Sequence, residues 1–481
     1  MSEIHEECGL FGVYSKANED VAALSYYALY ALQHRGQEGC GIALNDDGVI
    51  TVHKDSGLVR DVFPPGSIPL GSGSSMAIAH ARYGTTGNDP RTNVQPLVIT
   101  HRKGRMALAH NGNLTNDAEL RESLEMKGSI FHTTSDTEVI AYIITKNRLS
   151  CTSIEQAIEK TMEEIAGAYS LMVMSSTKLI AVRDPWGFRP LCMGRLGDGY
   201  VFASESCALD AVGAIFERDV EPGEIVVIDS KTVSETGPVS IKTHCKKEKS
   251  SLCVFELIYF ARPDSIVDSI HIHSARLRAG AFLALEHPSQ ADVVIGVPDS
   301  GLDAAIGYSR QSGIPYGLGF IKNKYIGRTF IQPSQSDRED TVRIKLNPIV
   351  STVKGKRVVL IDDSIVRGTT SKRIVRLLRE AGAKEIHFRS SAPKFLYPCY
   401  FGTDIDSSTD LFAYKYDDEQ MCRQLDVDSL GFLSSENVTK LADHPCIGFC
   451  TACFTGNYPC PEPLCKGKDK YSAKLPRSEE E

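Results

Sequence analysis

Cys8 stands almost at the start of the chain and is followed by Gly9-Leu10-Phe11-Gly12-Val13-Tyr14, an apolar, strand-like run. A cysteine placed there is a candidate nucleophile. If the seven residues before it are cut away, Cys8 carries a thiol and a free α-amine together. Such an amine titrates near about 7.7–8.0, so it serves as a general base close to neutral pH. One residue then supplies both nucleophile and base. The same pattern also describes a buried cysteine opening a core strand, a frequent setting for free thiols.

A second stretch with chemistry in it runs from Arg357 to Thr370. An apolar strand ends in the adjacent carboxylates Asp362 and Asp363, and a loop carrying Arg367, Gly368, Thr369 and Thr370 then opens a helix. Backbone N–H groups and hydroxyls at a helix N-terminus cradle phosphate. The carboxylates stand where they could hold ribose hydroxyls, directly or through Mg²⁺, which favours carboxylate and substrate oxygens. A plain Asp-Asp helix cap is the alternative. No Walker A pattern is present, nor a Gly-x-Gly-x-x-Gly after a strand, which weakens nucleotide hydrolysis and dinucleotide binding as readings.

There are 14 cysteines, and five of them, Cys446, Cys450, Cys453, Cys460 and Cys465, crowd the C-terminal end. Cys450 and Cys453 form a C-x-x-C pair. A Cys₄ zinc site and a redox pair both fit that spacing.

The elements that must position these groups fall into two sets. From Cys8 to about residue 235, short β-like runs dominate: Gly9–Tyr14, Ser75–Ala81, Met106–Asn111, Ser170–Met174, Leu179–Arg183, Tyr200–Ala203 and Glu224–Ile228. Helical patterns at Asp20–Gln33, Thr137–Thr145 and Ile154–Ile165 interrupt them, which predicts a layered α+β domain. After a Lys-rich stretch near His244–Ser251, compact apolar strands at Ala291–Val297 and Arg357–Asp362 each lead into a turn and a helix, Leu302–Ser309 and Thr370–Ala381. That alternation predicts a doubly wound α/β domain with ligands at the C-terminal ends of its strands. The polar segment Lys322–Asn347, with Lys324, Arg328, Arg338, Arg343 and Lys345, is a surface loop or a lid over a polyanion.

These motifs carry a resemblance. The Arg357–Thr370 stretch looks like the phosphoribosylpyrophosphate (PRPP) motif of type I phosphoribosyltransferases, and Gly296-Val297-Pro298-Asp299-Ser300-Gly301 resembles that family's pyrophosphate loop. The first half resembles the N-terminal-nucleophile (Ntn) glutamine amidotransferases. The matching pieces are Gln33-His34-Arg35-Gly36-Gln37, the run from His80 to Gly87, His110-Asn111-Gly112-Asn113, Ser135-Asp136, the run from Asp184 to Leu191, and Ser204-Glu205-Ser206. Resemblance to the glutamine amidotransferases that use PRPP as acceptor covers nearly the whole chain.

The resemblance implies an Ntn hydrolase four-layer sandwich over residues 8–240, after a propeptide at 1–7. A type I phosphoribosyltransferase domain follows over 250–465; the Lys-, Ser- and Glu-rich composition of the last residues separately predicts a disordered tail at 466–481. The resemblance also implies that Cys8 attacks glutamine, with Asn111 and Gly112 as the oxyanion hole, and that Arg82 and Asp136 hold the glutamine carboxylate and ammonium. Asp299, Ser300, Asp362, Asp363, Arg367, Gly368, Thr369 and Thr370 would bind PRPP. Ser300, Asp362 and Asp363 would hold Mg²⁺, and Lys324, Arg328 and Lys345 would belong to a closing lid. The chemistry would pass glutamine-derived ammonia to PRPP, opening de novo purine synthesis. A subgroup with a leader peptide also carries a [4Fe–4S] cluster, and its ligand positions match Cys253, Cys399, Cys450 and Cys453, a count such a cluster requires. AMP and GMP as inhibitors and a homotetramer are further family expectations. Asn-Gly is also a common hairpin-turn dipeptide, so a turn at Asn111-Gly112 remains compatible with that role.

Bulk properties agree with such an enzyme. A chain of 481 residues is long enough for two or more cores, and 42% hydrophobic with 24% charged residues is ordinary for a globular protein. The net charge of -8 argues against nucleic acid as the main partner. With no signal-like or transit-like start and no apolar run long enough for a bilayer, the expected compartment is the cytoplasm.

Overall fold

The computed structural model describes residues 8–15, 19–67, 73–83, 91–245, 250–323, 346–405, 407–442 and 448–463. Two antiparallel sheets organise the first half. Their strands are β1 (Gly9–Tyr14), β2 (Gly39–Asp46), β3 (Val49–Ser56), β4 (Met76–Arg82), β5 (Leu97–His101), β6 (Gly104–Leu114), β7 (Gly167–Ser175), β8 (Lys178–Arg183), β9 (Cys192–Leu196), β10 (Gly199–Ala203), β11 (Ile215–Asp219), β12 (Ile225–Asp229) and β13 (Val239–Ile241). One sheet has the order β11-β9-β10-β1-β4-β2-β3, the other β13-β12-β8-β7-β6-β5.

The sheets pack face to face through Leu10, Met76 and Ile78 on one side and Ala107, Met172 and Leu179 on the other. The helix Val21–Ala31 covers the outer face of the first sheet. Helices Asp136–Ser150 and Ile154–Glu164 cover the second. The result is the four-layer sandwich expected of an Ntn hydrolase. Ser135 caps the first of these two helices by accepting from the Thr137 N–H, and Ser153 caps the second through Gln156 N–H.

In the second half, β14 (Leu252–Cys253) precedes a short π-helix, Glu256–Phe260, and a small hairpin of β15 (Ile266–Val267) and β16 (Ile270–His271). Then come β17 (Val293–Gly296), β18 (Phe320–Lys322), β19 (Leu346–Pro348), β20 (Arg357–Asp362), β21 (Glu385–Ser390), β22 (Ser429–Phe432) and β23 (Phe449–Cys450). Strands β17-β20-β21-β22 form a parallel sheet. Helices Ile272–Glu286 and Gly301–Ser312 pack on one face, and Thr369–Glu380 and Asp418–Leu425 on the other. Both faces are covered, so its strands read as continuous apolar runs. None of the described helices is long and apolar enough to cross a membrane.

Candidate active sites

Cys8 is half-buried just ahead of β1, and its thiol lies 3.7 Å from the Tyr83 carbonyl. Strand β1 pairs with β4, Gly9 opposite Ala81, which brings Arg82 to the same end of the sheet. Arg82 is itself buried. His80, two residues earlier on β4, sits 3.1 Å from the His110 carbonyl on β6. That contact joins the two sheets where the chemistry is expected. Burial, with Arg82 nearby, pushes the His80 imidazole down to about 3, so it is neutral.

Asn111 and Gly112 follow His110. They lie inside β6, paired with Ser170 and Tyr169 of β7. The hairpin-turn reading of this dipeptide is therefore wrong. The tertiary context made a strand of it, and the glycine is needed for another reason. Gly112 has φ +140°, and a Cβ there would stand 2.2 Å from the Ala168 carbonyl oxygen. Both amide atoms of Asn111 are buried with no hydrogen-bond partner. Buried polar groups are nearly always paired, so an orphaned amide calls for an explanation; binding an oxyanion is one. Asp136 opens its helix, accepts the Leu114 N–H at 3.0 Å and lies 3.3 Å from His110 Nδ1.

At the second centre, β20 delivers Asp362 and Asp363 to the C-terminal edge of the parallel sheet. The Asp363 N–H donates to Asp362 Oδ1 at 3.0 Å. Ser300 and Ser364 hydroxyls donate to the two Asp363 oxygens, each at 2.5 Å. Ser300 reaches this point because β17 pairs directly with β20. Gly368 takes φ +76° at the start of the helix Thr369–Glu380, where a Cβ would meet the Phe412 ring at 2.7 Å. Thr369 and Thr370 are exposed in the helix's first turn, while Arg367 is half-buried. Asp299 is exposed and ion-pairs with Lys322, a basic residue the sequence reading did not single out. Lys322 ends β18, which pairs with β19. Between these strands lie Lys324, Arg328, Arg338, Arg343 and Lys345, outside the described residues.

Cys253, Cys399, Cys450 and Cys453 line one pocket whose other walls include Phe188, Phe255 and Phe395. Cys253 faces Cys450 across the parallel pair of β14 and β23. All four thiols are free. Burial raises the Cys253 and Cys453 thiols, and pushes Cys450 up to about 12. Among the described residues, no three His, Cys, Asp or Glu side chains close tightly on one metal-ion position. Cys460 is buried in the adjoining cluster, whereas Cys446 and Cys465 lie outside the described residues.

The sequence reading also missed the charges between the two halves. Arg35, from Gln33-His34-Arg35-Gly36-Gln37, is fully buried and pairs with both Glu205 and Glu256. Arg183 on β8 grips Asp268 in the β15–β16 turn through two bonds of 2.6 and 2.8 Å. Buried Arg and Glu are rare unless paired, but nothing in a sequence announces partners 85 to 221 positions apart.

Fold and sites together define a glutamine amidotransferase joined to a phosphoribosyltransferase. Residues 80–211 match the glutamine amidotransferase domain family, and residues 267–394 the phosphoribosyl transferase domain family. The amidophosphoribosyltransferase of Methanocaldococcus jannaschii is 48% identical over 94% of this chain and 97% of its own length. That of Bacillus subtilis is 47% identical over 95% and 94%. A solved structure described as glutamine PRPP amidotransferase from B. subtilis complexed with ADP and GMP superposes with a TM-score of 0.86 at 45% identity, covering 96% of this chain and 99% of its own. Another, described as the allosteric regulatory enzyme of purine biosynthesis, gives 0.87 at 45% identity, covering 96% and 98%. The chain belongs to the amidophosphoribosyltransferase family. It is an enzyme of purine biosynthesis that moves glutamine-derived ammonia onto PRPP, giving 5-phosphoribosylamine, glutamate and pyrophosphate.

Proposed function

We infer that the two reactions are divided between residues 8–240 and 250–465, with the residue roles that follow. Cys8 attacks the glutamine side-chain amide, and the Asn111 amide with the Gly112 N–H holds the resulting oxyanion. Ammonia leaves, and water hydrolyses the γ-glutamyl thioester to glutamate. Arg82 holds the substrate carboxylate by its planar fork, and Asp136 the α-ammonium. The observation that carries this reading is the orphaned, buried Asn111 amide on the strand facing the Cys8–Arg82 edge.

In the second unit, the N–H groups and hydroxyls at Gly368, Thr369 and Thr370 cradle the 5-phosphate. Asp362 and Asp363 hold the ribose hydroxyls, with Arg367 beside them and Asp299 and Ser300 at the pyrophosphate. The oxygens of Ser300, Asp362 and Asp363 are of the donor type that suits Mg²⁺, which when bound offsets charge on the departing pyrophosphate. A lid carrying Lys324, Arg328 and Lys345 excludes water, which would otherwise hydrolyse PRPP.

The four-cysteine pocket is read as a [4Fe–4S] site. Support comes from the thiolate count and from the apolar walls that Phe188, Phe255 and Phe395 give the pocket. Residues 1–7 are read as a propeptide whose removal frees the Cys8 amine. The intact mass of anaerobically purified protein, with its iron and sulfide content, tests both at once. The expected result is a chain beginning at Cys8 with about four irons and four sulfides. A retained leader overturns the processing, and zinc in place of iron overturns the cluster.

AMP and GMP as inhibitors, a homotetramer and a cytoplasmic location complete the reading. Initial rates across AMP and GMP concentrations check the first, and a flat response refutes it. Sedimentation mass checks the second.

A further inference from the structure

Three fully buried charges form a line from one half of the molecule to the other. Arg35 Nε donates to the backbone carbonyl of Cys8 at 3.1 Å. Its two terminal nitrogens grip Glu256 by a fork, Nη1 to Oε2 at 3.0 Å and Nη2 to Oε1 at 2.7 Å. Arg189 Nη1 lies 3.7 Å from the same Glu256 carboxylate. None of the three side chains has any exposure.

The far end of this line is the cysteine pocket. Arg189 is part of its wall, and Arg189 Nη2 donates to the Phe401 carbonyl at 2.6 Å. The Phe401 N–H in turn donates to Cys399 Sγ at 3.4 Å. Glu256 follows Cys253 by three residues on the turn that leaves β14. Backbone shifts at either cysteine therefore move a group that holds Arg35, and Arg35 holds the carbonyl of the nucleophile residue. A bidentate Arg–carboxylate pair in a dry interior has little orientational slack, and Arg35 Nη1 is also held by Glu205 Oε1 at 2.6 Å, so a shift of Glu256 turns Arg35 about that second anchor.

We propose that Glu256 is a positioning residue for Cys8, acting from the second unit through Arg35, and that Arg189 extends this line to the four-cysteine pocket so that attack on glutamine depends on the packing there. The proposal rests on the reading of Cys8 as the nucleophile. Glu256 acts on Cys8 through Arg35. Its effect is on where the thiol stands.

The test uses the full-length protein carrying Glu256→Gln, which keeps the shape of the side chain and removes its charge. The main readout is the rate at which an electrophilic glutamine analogue alkylates Cys8, followed by mass spectrometry of the Cys8 peptide. Ammonia-dependent 5-phosphoribosylamine formation, iron content and the thermal midpoint are measured alongside. The expected result is alkylation slower by about tenfold or more, the scale of a misplaced reacting group, with ammonia-dependent turnover and iron unchanged. Alkylation at the wild-type rate overturns the proposal. So does a parallel loss of both activities with a lowered thermal midpoint, which marks a merely structural role. If the wild-type Cys8 itself resists alkylation, the nucleophile assignment fails first, a distinct outcome. Should Glu256→Gln not fold, Glu256→Asp, which keeps the charge and shortens the reach to Arg35, is read by the same criteria.

Discussion

Cys8 and the Asp362–Asp363 pair lie on different sheets, so the roles proposed for them belong to separate centres. Cys8 stands at the edge of β1 beside Arg82, whereas the acid pair ends β20 in a parallel sheet of its own. Separate centres make separate losses. Cys8→Ala is expected to abolish glutamine-dependent turnover and leave ammonia-dependent turnover intact. Asp362→Asn combined with Asp363→Asn is expected to remove both. Steady-state assays with each nitrogen source decide, and loss of ammonia use in Cys8→Ala would sink the division. Replacing Asn111 with Ala takes away the proposed oxyanion donor and is expected to lower glutamine-dependent kcat by about 10²–10³, with ammonia-dependent turnover unchanged.

At the scale of elements, β4 is the strand that must place Arg82, and it does so by burying His80 completely. With Nε2 at the His110 carbonyl, Nδ1 is left buried and unpartnered, so a second proton there is disfavoured. Burial first, and Arg82 second, lower the imidazole from 6.5 to about 3. The sign follows from linkage. The unfolded chain takes up the proton before the native one, so this contribution is complete above about pH 6.5 and is lost as pH falls towards about 3. Between about pH 7 and 5 the loss amounts to about 2 kcal/mol. Denaturant titrations at the two pH values should show wild type losing that much more than His80→Gln. Equal losses would mean that His80 is not held neutral.

For the whole molecule, the question is what holds the two halves in one relation. The β15–β16 hairpin turns through Asp268 and Ser269, both at positive φ, and its tip enters the first unit. There Asp268 meets Arg183, and the Ser269 N–H donates to Asp219 Oδ2 at 3.0 Å. The Phe188 and Phe401 rings stack across the same boundary with centroids 4.2 Å apart. Asp268→Ala leaves Arg183 buried without its carboxylate, a change that costs about 3–5 kcal/mol. Thermal unfolding should show the first transition lowered and the two units melting apart. An unchanged profile would show that the aromatic packing alone joins them.

Local chemistry was legible in the sequence wherever local patterning encoded it. Strand β1 and strand β20 fall where their apolar runs place them, because a buried strand ending in a fixed motif is a short-range signal. Strands β2 and β3 went unread: β3 alternates too weakly, with His53, Lys54 and Asp55 in its second half, and only pairing with β4 through β2 makes a strand of it. Asn111-Gly112 shows the limit most clearly. Its residue types named the chemistry, but long-range pairing with β7 decided that it is strand and not turn. The Arg35–Glu256 and Arg183–Asp268 pairs lay wholly beyond the sequence, since a buried charge is tolerated only where folding brings its counter-charge. Sequence by itself named the candidate reacting groups. Tertiary structure decided which groups hold them in place, because that depends on contacts between residues far apart along the chain.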